Sequence, residues 1–205
     1  MRVAAPERLS EDAIRLAVVE RLPWIKKQRR RLLNAQRQTE RKSVSGETHY
    51  VWGERYRLDA SRVGRSNVSM QGRTLWLTAP ASSDADARNG ILDRWYRRQL
   101  KAELAPLLDK WQPIIGVDVE KVVVRRMKTK WGTCQTASRT IWVNPELAKK
   151  NPLCLEYIVV HELAHFHERT HNEHFVALMD QYLPDWRARR DQLNDAPLAQ
   201  ESWAG

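Results

Sequence analysis

The chain has 205 residues, of which 42 % are hydrophobic and 29 % are charged. This composition is typical of a soluble globular protein with a core of ordinary size, and no apolar run approaches the roughly 20 residues of a membrane span. The first residues, MRVAAPERLSED, lack the apolar segment of a signal peptide, and two cysteines suit reduced thiols better than a disulfide framework. We therefore predict a cytoplasmic protein without a membrane partner.

The charge is strongly basic, with a net value of +10, and residues 1–48 carry +6 of it. Such a balance permits contact with nucleic acid or with phosphorylated substrates. The densest run consists of Lys26, Lys27, Arg29, Arg30 and Arg31. A run of this kind is typical of the solvated face of a helix, and the alternative is contact with the phosphates of a nucleic acid or nucleotide. We predict that residues 1–48 form a basic N-terminal helical arm.

The helices of this arm have recognisable start and stop signals. Ser10 is a suitable N-cap, and Glu11 and Asp12 place acidic side chains in the first turn. Pro23 is expected to end this helix or to open a second one, which then runs towards Arg41. The sequence therefore predicts more than one N-terminal helix.

Residues 49–116 are predicted to form a small β-meander followed by a long helix. From His49 to Pro80, short stretches rich in Val, Trp, Tyr, Leu and Thr are broken by glycines, which predicts three or four antiparallel strands. Asp84, with the two serines before it, offers a cap for the helix. Pro113 and Gly116 are expected to end that helix.

Residues 117–196 are predicted to form the core of the protein, and residues 197–205 a disordered tail. The β-branched residues 119–126 and 140–143 predict two strands that pair as a hairpin. A helix with an apolar face follows from Cys154 to Glu168. Trp131, Gly132 and Cys134, between the two strands, are typical of core and turn chemistry, whereas Lys128 and Lys130 beside them could line a cleft or stay solvated.

The motif HELAHFHERTH, residues 161–171, holds four of the six histidines of the chain. On a helix, His161 and His165 lie one turn apart on the same face, so both imidazoles can reach one ion. Zinc accepts this arrangement, and Glu162 lies beside the site, where a carboxylate can take a proton from a zinc-bound water. The apolar residues before His161 indicate a buried helix, in which two histidines need partners. The motif therefore predicts a catalytic metal site.

An open catalytic zinc site needs a third protein ligand, and His171 is the best candidate. It follows His165 at a distance that lets the helix end and the chain turn back. The other candidates for this position are His167, Glu168, Glu173, His174 and Asp180.

Four segments together carry a resemblance to a known family. They are RRMKTKWGTC, IWVNPEL, LEYIVVHELAHFHERTHNEHF and LPDWRARRDQLN, which stand in this order from Arg125 to Asn194. The chain resembles the YgjP-like metallopeptidase domain family, which is related to the SprT-like and WLM zinc peptidases. This resemblance implies an α+β fold with a zincin-like core, in which a β-hairpin precedes the HExxH helix. It also implies that His161, His165 and His171 hold one zinc ion per chain and that Glu162 is the general base.

The predicted function is therefore zinc-dependent hydrolysis of a peptide or protein substrate. Two alternatives stay open at this point. A metal-dependent nucleotide phosphohydrolase, of the nucleoside triphosphate pyrophosphatase type, suits the basic composition. A nucleic-acid-associated protein with a structural zinc site would place the basic arm on phosphates.

Overall fold

The computed structural model describes residues 10–34 and 42–195. The chain divides into two compact units, residues 1–37 and residues 38–205. The described residues form five α-helices and two small sheets, each with one parallel and at least one antiparallel strand pair. This confirms the predicted α+β class. None of the described helices combines the length and apolar composition that crossing a bilayer requires.

The first unit contains one long helix, α1 (Glu11–Asn34). The Ser10 side chain caps it as predicted, because Ser10 Oγ accepts a hydrogen bond from the Ala13 N–H at 3.3 Å. The prediction of a break at Pro23 is wrong, since the helix continues through this residue. Proline removes a single backbone hydrogen bond, and the good helix formers Leu, Arg, Lys and Gln stand on both sides of it. The predicted continuation towards Arg41 lies outside the described residues.

The first sheet of the second unit has four strands: β1 (Thr48–Val51), β2 (Glu54–Ser61), β3 (Asn67–Gln71) and β4 (Thr74–Thr78). Their order is β1-β2-β4-β3, and β2 and β4 run parallel. The predicted antiparallel meander is therefore wrong in one of its three pairings.

Burial explains why β4, rather than β3, lies beside β2. Leu75 and Leu77 of β4 are fully buried, whereas β3 buries only Val68. The parallel register places Leu75 next to Leu58, so the buried leucines of both strands fall on one face. The β3–β4 hairpin accordingly turns its apolar strand inwards and its polar strand to the edge.

A long helix, α2 (Ala85–Ile115), crosses the second unit. Asp84 caps it as predicted, because its side chain accepts a hydrogen bond from the Ala87 N–H at 2.7 Å. The helix ends at Gly116, whose φ of 76° belongs to the left-handed region that favours glycine. Its buried face carries the side chains of Ile91, Leu92, Trp95, Leu100, Leu104 and Trp111.

The second sheet consists of β5 (Lys121–Val124), β6 (Gly132–Gln135) and β7 (Thr140–Val143) in the order β5-β7-β6. The predicted hairpin between the strands around 119–126 and 140–143 is wrong, because β5 and β7 run parallel. The hairpin partner of β7 is β6, an edge strand that begins at Gly132. A strand of four mixed residues is too short to produce a clear alternating pattern in the sequence.

Four further elements complete the chain: a 3-10 helix (Pro145–Lys149), α3 (Pro152–Ala164), α4 (Glu173–Tyr182) and α5 (Trp186–Asp195). The core joins both sheets to α2 and α3. Its largest fully buried side chains include Leu58, Leu75, Leu77, Leu100, Ile141, Leu147, Leu155, Leu163, Met179 and Leu193. Since α3 is buried on nearly every side, the residues that follow its apolar run are held in a fixed position.

The turn between β1 and β2 packs onto the start of α3. The Trp52 N–H donates a hydrogen bond to the Ala148 carbonyl at 2.9 Å. Gly53 has a φ of 84°, and a Cβ at this position would lie 3.3 Å from the backbone of Asn151, which caps α3. The turn therefore needs glycine both for its backbone angle and for its close approach.

The division of the chain into segments 1–48, 49–116, 117–196 and 197–205 stays a prediction. The tail at 197–205 lies outside the described residues. The basic run of the first segment lies on α1, where Lys26 is exposed to solvent.

Candidate metal centre

Three imidazole rings meet where α3 ends. His161 lies on the last turn of α3, His165 is its C-cap residue, and His171 lies in the loop before α4. His161 Nε2 is 3.2 Å from His165 Nε2 and 3.1 Å from His171 Nε2. The potential ligand atoms of the three residues all lie within 4.8 Å of one another. The structure thus brings together the three histidines that the sequence singled out.

Two local motifs place His171 opposite the helix. Glu168 Oε1 accepts hydrogen bonds from the backbone N–H of Thr170 at 2.9 Å and from its hydroxyl at 2.8 Å, which closes the turn without glycine. Asn172 then caps α4 by accepting a hydrogen bond from the Phe175 N–H at 3.0 Å. His171 is held between these two motifs.

Phe175 supports all three rings from one side. It is buried, and its ring centroid lies 5.0 Å from that of His161, 4.5 Å from that of His165 and 4.8 Å from that of His171. An aromatic ring in contact with three imidazoles restricts the orientation of each. Sequence reasoning did not assign this role to Phe175.

The geometry fits a tetrahedral zinc ion. With a Zn–N distance of about 2.05 Å, tetrahedral angles require neighbouring nitrogens to be about 3.3 Å apart. Two of the Nε2 pairs, at 3.2 and 3.1 Å, are close to this value. His165 Nδ1 lies 2.9 Å from the Glu168 carbonyl, which only accepts, so this nitrogen carries the proton. His165 Nε2 therefore offers a lone pair, as a metal ligand must.

The electrostatics of the cluster keep its buried rings neutral. Burial, reinforced by His165 and His171, lowers the pKa of His161 to about 3. Burial also lowers the pKa of His165, and the contact with the Glu168 carbonyl opposes this only in part. His161 Nδ1 is buried without a hydrogen-bond partner. Neutral imidazoles are the form that binds a metal, so the donor set suits a cation.

Glu162 directly follows His161 on α3 and lines the same pocket as the three histidines. Its side chain is buried, and burial raises the pKa of its carboxyl group to about 8, although Lys130 and a hydrogen bond from the Cys134 backbone N–H oppose the shift. The pKa of the Glu162 carboxyl group is therefore close to neutral pH. Such a pKa is appropriate for a group that takes up and releases a proton.

Gly132 allows the edge strand β6 to lie directly against Glu162. A Cβ at this position would be 2.6 Å from Glu162 Oε1 and 2.8 Å from a methyl group of Ile158. No other residue type fits in this space without displacing the carboxylate. The sequence assigned Gly132 to turn chemistry and missed this contact, because it depends on the pairing of two distant elements.

The other candidate ligands are held elsewhere. His167 Nε2 lies 2.8 Å from the Ile115 carbonyl, at the end of α2. Asp180 accepts hydrogen bonds from the Trp186 indole and from Arg187, and Glu168 closes the turn described above. His174 is exposed and lies 3.6 Å from a Glu168 oxygen. None of the five candidate side chains, Glu173 included, belongs to the group of described residues that could hold a metal ion.

The cluster opens into a cleft of about 720 Å³ between β6, α3, the loop that carries His171, and α5. Three basic residues, Lys130, Arg169 and Arg190, contribute to its walls, together with the catalytic candidates. Of the two lysines that the sequence placed beside a possible cleft, Lys130 lines it and Lys128 is absent from its walls.

The comparison with known families decides the identity of the chain. Residues 1–196 match the family described as YgjP-like, metallopeptidase domain. The chain belongs to the YgjP-like metallopeptidase family. This YgjP-like domain is accordingly a hydrolase of the peptidase type, and its family implies a metal ion. In the described part of this YgjP-like domain, the group that could hold one is His161, His165 and His171.

Two further comparisons concern individual proteins. One similar solved structure is the crystal structure of the metallopeptidase zymogen of Pyrococcus abyssi abylysin, which is 23 % identical. The similarity covers 43 % of this YgjP-like chain and 90 % of that chain, with a TM-score of 0.40. No curated protein matches the sequence.

Proposed function

We propose that the protein is a zinc-dependent metallopeptidase with a zincin-like core. In this proposal His161, His165 and His171 hold the zinc ion, and Glu162 is the general base. The observation that carries the proposal is the convergence of three Nε2 atoms beside a buried carboxylate in one cleft. Zinc is the preferred metal because three imidazoles with one open position suit its tetrahedral coordination.

The residues around the cluster have distinct tasks in the reaction. A zinc ion held by the three histidines would supply Lewis-acid chemistry to the scissile carbonyl and to the attacking water. Glu162 takes the proton from that water and delivers it to the nitrogen of the leaving amine. The Cys134 N–H fixes one side of the Glu162 carboxylate, and Gly132 leaves the space in which the carboxylate lies.

The edge strand β6 offers a place for the peptide. It pairs with β7 on one side, and its other side borders the cleft. An extended peptide can add to such an edge through main-chain hydrogen bonds, which would bring one of its carbonyl groups to the histidine cluster.

The first experiment replaces Glu162 by Gln. We expect this variant to retain about one zinc per chain and to lose peptide hydrolysis by a factor of about 10² to 10⁴, the usual contribution of a general base. Zinc is measured by elemental mass spectrometry and hydrolysis with a pool of quenched fluorogenic peptides. Glu173→Gln, at an exposed residue of α4, is the matched control that keeps both properties. A fully active Glu162→Gln variant would contradict the assignment.

The metal ligands are tested in the same assay. His171→Ala should lose most of the zinc, whereas His174→Ala, at an exposed residue outside the cluster, should retain it. Retention of zinc by His171→Ala would contradict the proposed set of three ligands.

A second candidate function is hydrolysis of a nucleoside triphosphate. Lys130, Arg169 and Arg190 at the cleft favour it, because basic side chains stabilise phosphate groups and the same metal-activated water can attack phosphorus. Release of pyrophosphate or phosphate from nucleoside triphosphates by the wild type, lost in Glu162→Gln, would select this candidate. Peptide hydrolysis without nucleotide hydrolysis would exclude it.

A further inference from the structure

Basic residues outnumber acidic residues in the walls of the cleft. Its walls include the basic side chains of Lys130, Arg169 and Arg190, but Glu162 is their single acidic residue. The side chain of Glu162 is buried, with 4 % of its surface exposed, whereas the side chains of Lys130 and Arg169 are exposed to solvent. A substrate that enters the cleft therefore meets positive charge, to which a bound metal ion would add.

The three basic residues come from three different elements. Lys130 immediately precedes β6, Arg169 lies in the loop between His165 and His171, and Arg190 lies on α5. Among the residues that the structure describes, Lys130 and Arg169 form no ion pair, and Arg190 is paired with its exposed neighbour Asp191 at 3.2 Å. The positive charge is thus distributed around the cleft and is not neutralised within it.

These charges act on groups across the cleft. Burial raises the pKa values of Glu162, Cys134 and Tyr157, and the positive charges of Lys130, Arg169 and Arg190, respectively, oppose these increases. Since Cys134 lies on β6, Arg169 acts from the histidine loop onto the opposite wall. A negative group placed between these walls would be attracted from both sides.

We propose that the cleft selects peptides with an aspartate or glutamate side chain next to the scissile bond, held by Lys130 and Arg169. This inference rests on the proposed peptidase function and deepens it. The substrate is a peptide because the wall that carries Lys130 continues into the edge strand β6, which can pair with an extended chain. An arginine in the histidine loop suits a carboxylate in particular, since its guanidinium can donate two parallel hydrogen bonds.

The test uses quenched fluorogenic peptides that differ at one position, moved in steps through the two residues on each side of the cleaved bond. At the selected position, a change from Glu to Gln should lower kcat/KM about tenfold, the size expected for two partly exposed charge contacts. The difference should shrink as salt is raised, because exposed charges are screened. A positional isomer, in which the same Glu stands six residues away, controls for general attraction to the basic protein.

Three variants locate the effect. Lys130→Gln and Arg169→Gln should each lower the ratio of kcat/KM for the Glu peptide to kcat/KM for the Gln peptide. Lys128→Gln is the matched control, because Lys128 is exposed, close in sequence and absent from the cleft walls. An unchanged preference in both Lys130→Gln and Arg169→Gln would overturn the assignment to these residues.

A binding measurement separates this inference from the proposed function. Fluorescence anisotropy of labelled Glu and Gln peptides with the Glu162→Gln variant reports affinity without turnover. Wild type that cleaves the Glu and Gln peptides equally, with equal affinities in the variant, overturns the acidic preference but leaves the peptidase intact. If no peptide is cleaved or bound, and inorganic pyrophosphate binds instead, both proposals fall and the charges serve a phosphate substrate.

Discussion

At the scale of single residues, the contact between Gly132 and Glu162 gives a sharp prediction. In Gly132→Ala the new methyl group would have to occupy space 2.6 Å from Glu162 Oε1, so the carboxylate must move. A displacement of about 1 Å at a catalytic group can reduce the rate about 100-fold. We expect such a fall in kcat, little change in KM and an unchanged zinc content, since Glu162 is not among the proposed ligands.

Gly90→Ala provides the matched control for this substitution. Gly90 lies inside α2, and the nearest atom to an added Cβ is a side-chain nitrogen of Arg94 at 3.6 Å, an ordinary contact. Alanine in a helix interior stabilises by about 0.5 to 1 kcal/mol relative to glycine. The control should therefore be fully active and slightly more stable in urea unfolding. Full activity of Gly132→Ala would show that the carboxylate tolerates displacement.

The residues of the site differ in how far the sequence could predict them. His161 and His165 could be placed on one face because helical periodicity is local, and the structure places them side by side. Gly132 and Phe175 could not, because their contacts depend on a strand and a helix that meet only in the folded chain.

At the scale of elements, Glu156 connects α3 to two other helices. Its carboxylate accepts hydrogen bonds from Lys110 and Trp111 of α2, at 2.7 and 3.0 Å, and from Arg189 of α5 at 2.5 Å. Burial acts to raise the pKa of Glu156, but these partners outweigh it and hold the pKa at about 2. One charged group, the Glu156 carboxylate, thus connects the helix that carries His161 to α2 and α5.

This arrangement predicts a pH-dependent stability. Because the pKa of Glu156 is lower in the folded than in the unfolded chain, its contribution is complete above about pH 5 and is lost as the pH falls towards 2. Glu156→Gln should lower the free energy of unfolding by about 1 to 2 kcal/mol at pH 7, and the difference from wild type should vanish near pH 2. Urea unfolding across this range measures it.

The control for this prediction is Glu103→Gln, at an exposed residue of α2. It should leave the free energy of unfolding within about 0.5 kcal/mol of wild type, as surface substitutions usually do. A constant difference between Glu156→Gln and wild type at every pH would contradict the role of the ionised carboxylate.

Element boundaries were predicted better than the pairing of strands. The caps at Asp84 and Ser10 are visible in the sequence because they act within one turn. The parallel pairs β2–β4 and β5–β7 are not, because alternation identifies a strand but not its neighbour. The continuous α1 shows that one proline is a weaker signal than the helix formers around it.

At the scale of the whole molecule, metal removal should lower thermal stability. Three proposed ligands come from α3 and from the loop before α4, so a bound ion would link two segments of the folded chain. A free metal concentration 100 times Kd stabilises the folded state by about 2.7 kcal/mol, which corresponds to about 5 to 10 °C in Tm. Differential scanning calorimetry with and without a chelator measures this shift.

The His171→Ala variant is the control for the effect of metal removal on Tm. Its Tm should equal that of chelated wild type and should not respond to the chelator. A wild-type Tm that is also insensitive to chelation would contradict a metal site of useful affinity.

The turn at Trp52 and Gly53 has a practical consequence for protein engineering. Hairpin turns are usually the places where a chain tolerates an inserted tag or new termini. This turn does not offer such a place, because Gly53 lies against the cap of the helix that carries His161. The turn at Gly72 does, since nothing lies within 4 Å of an added Cβ there. A fluorescent label or an affinity handle therefore belongs between β3 and β4.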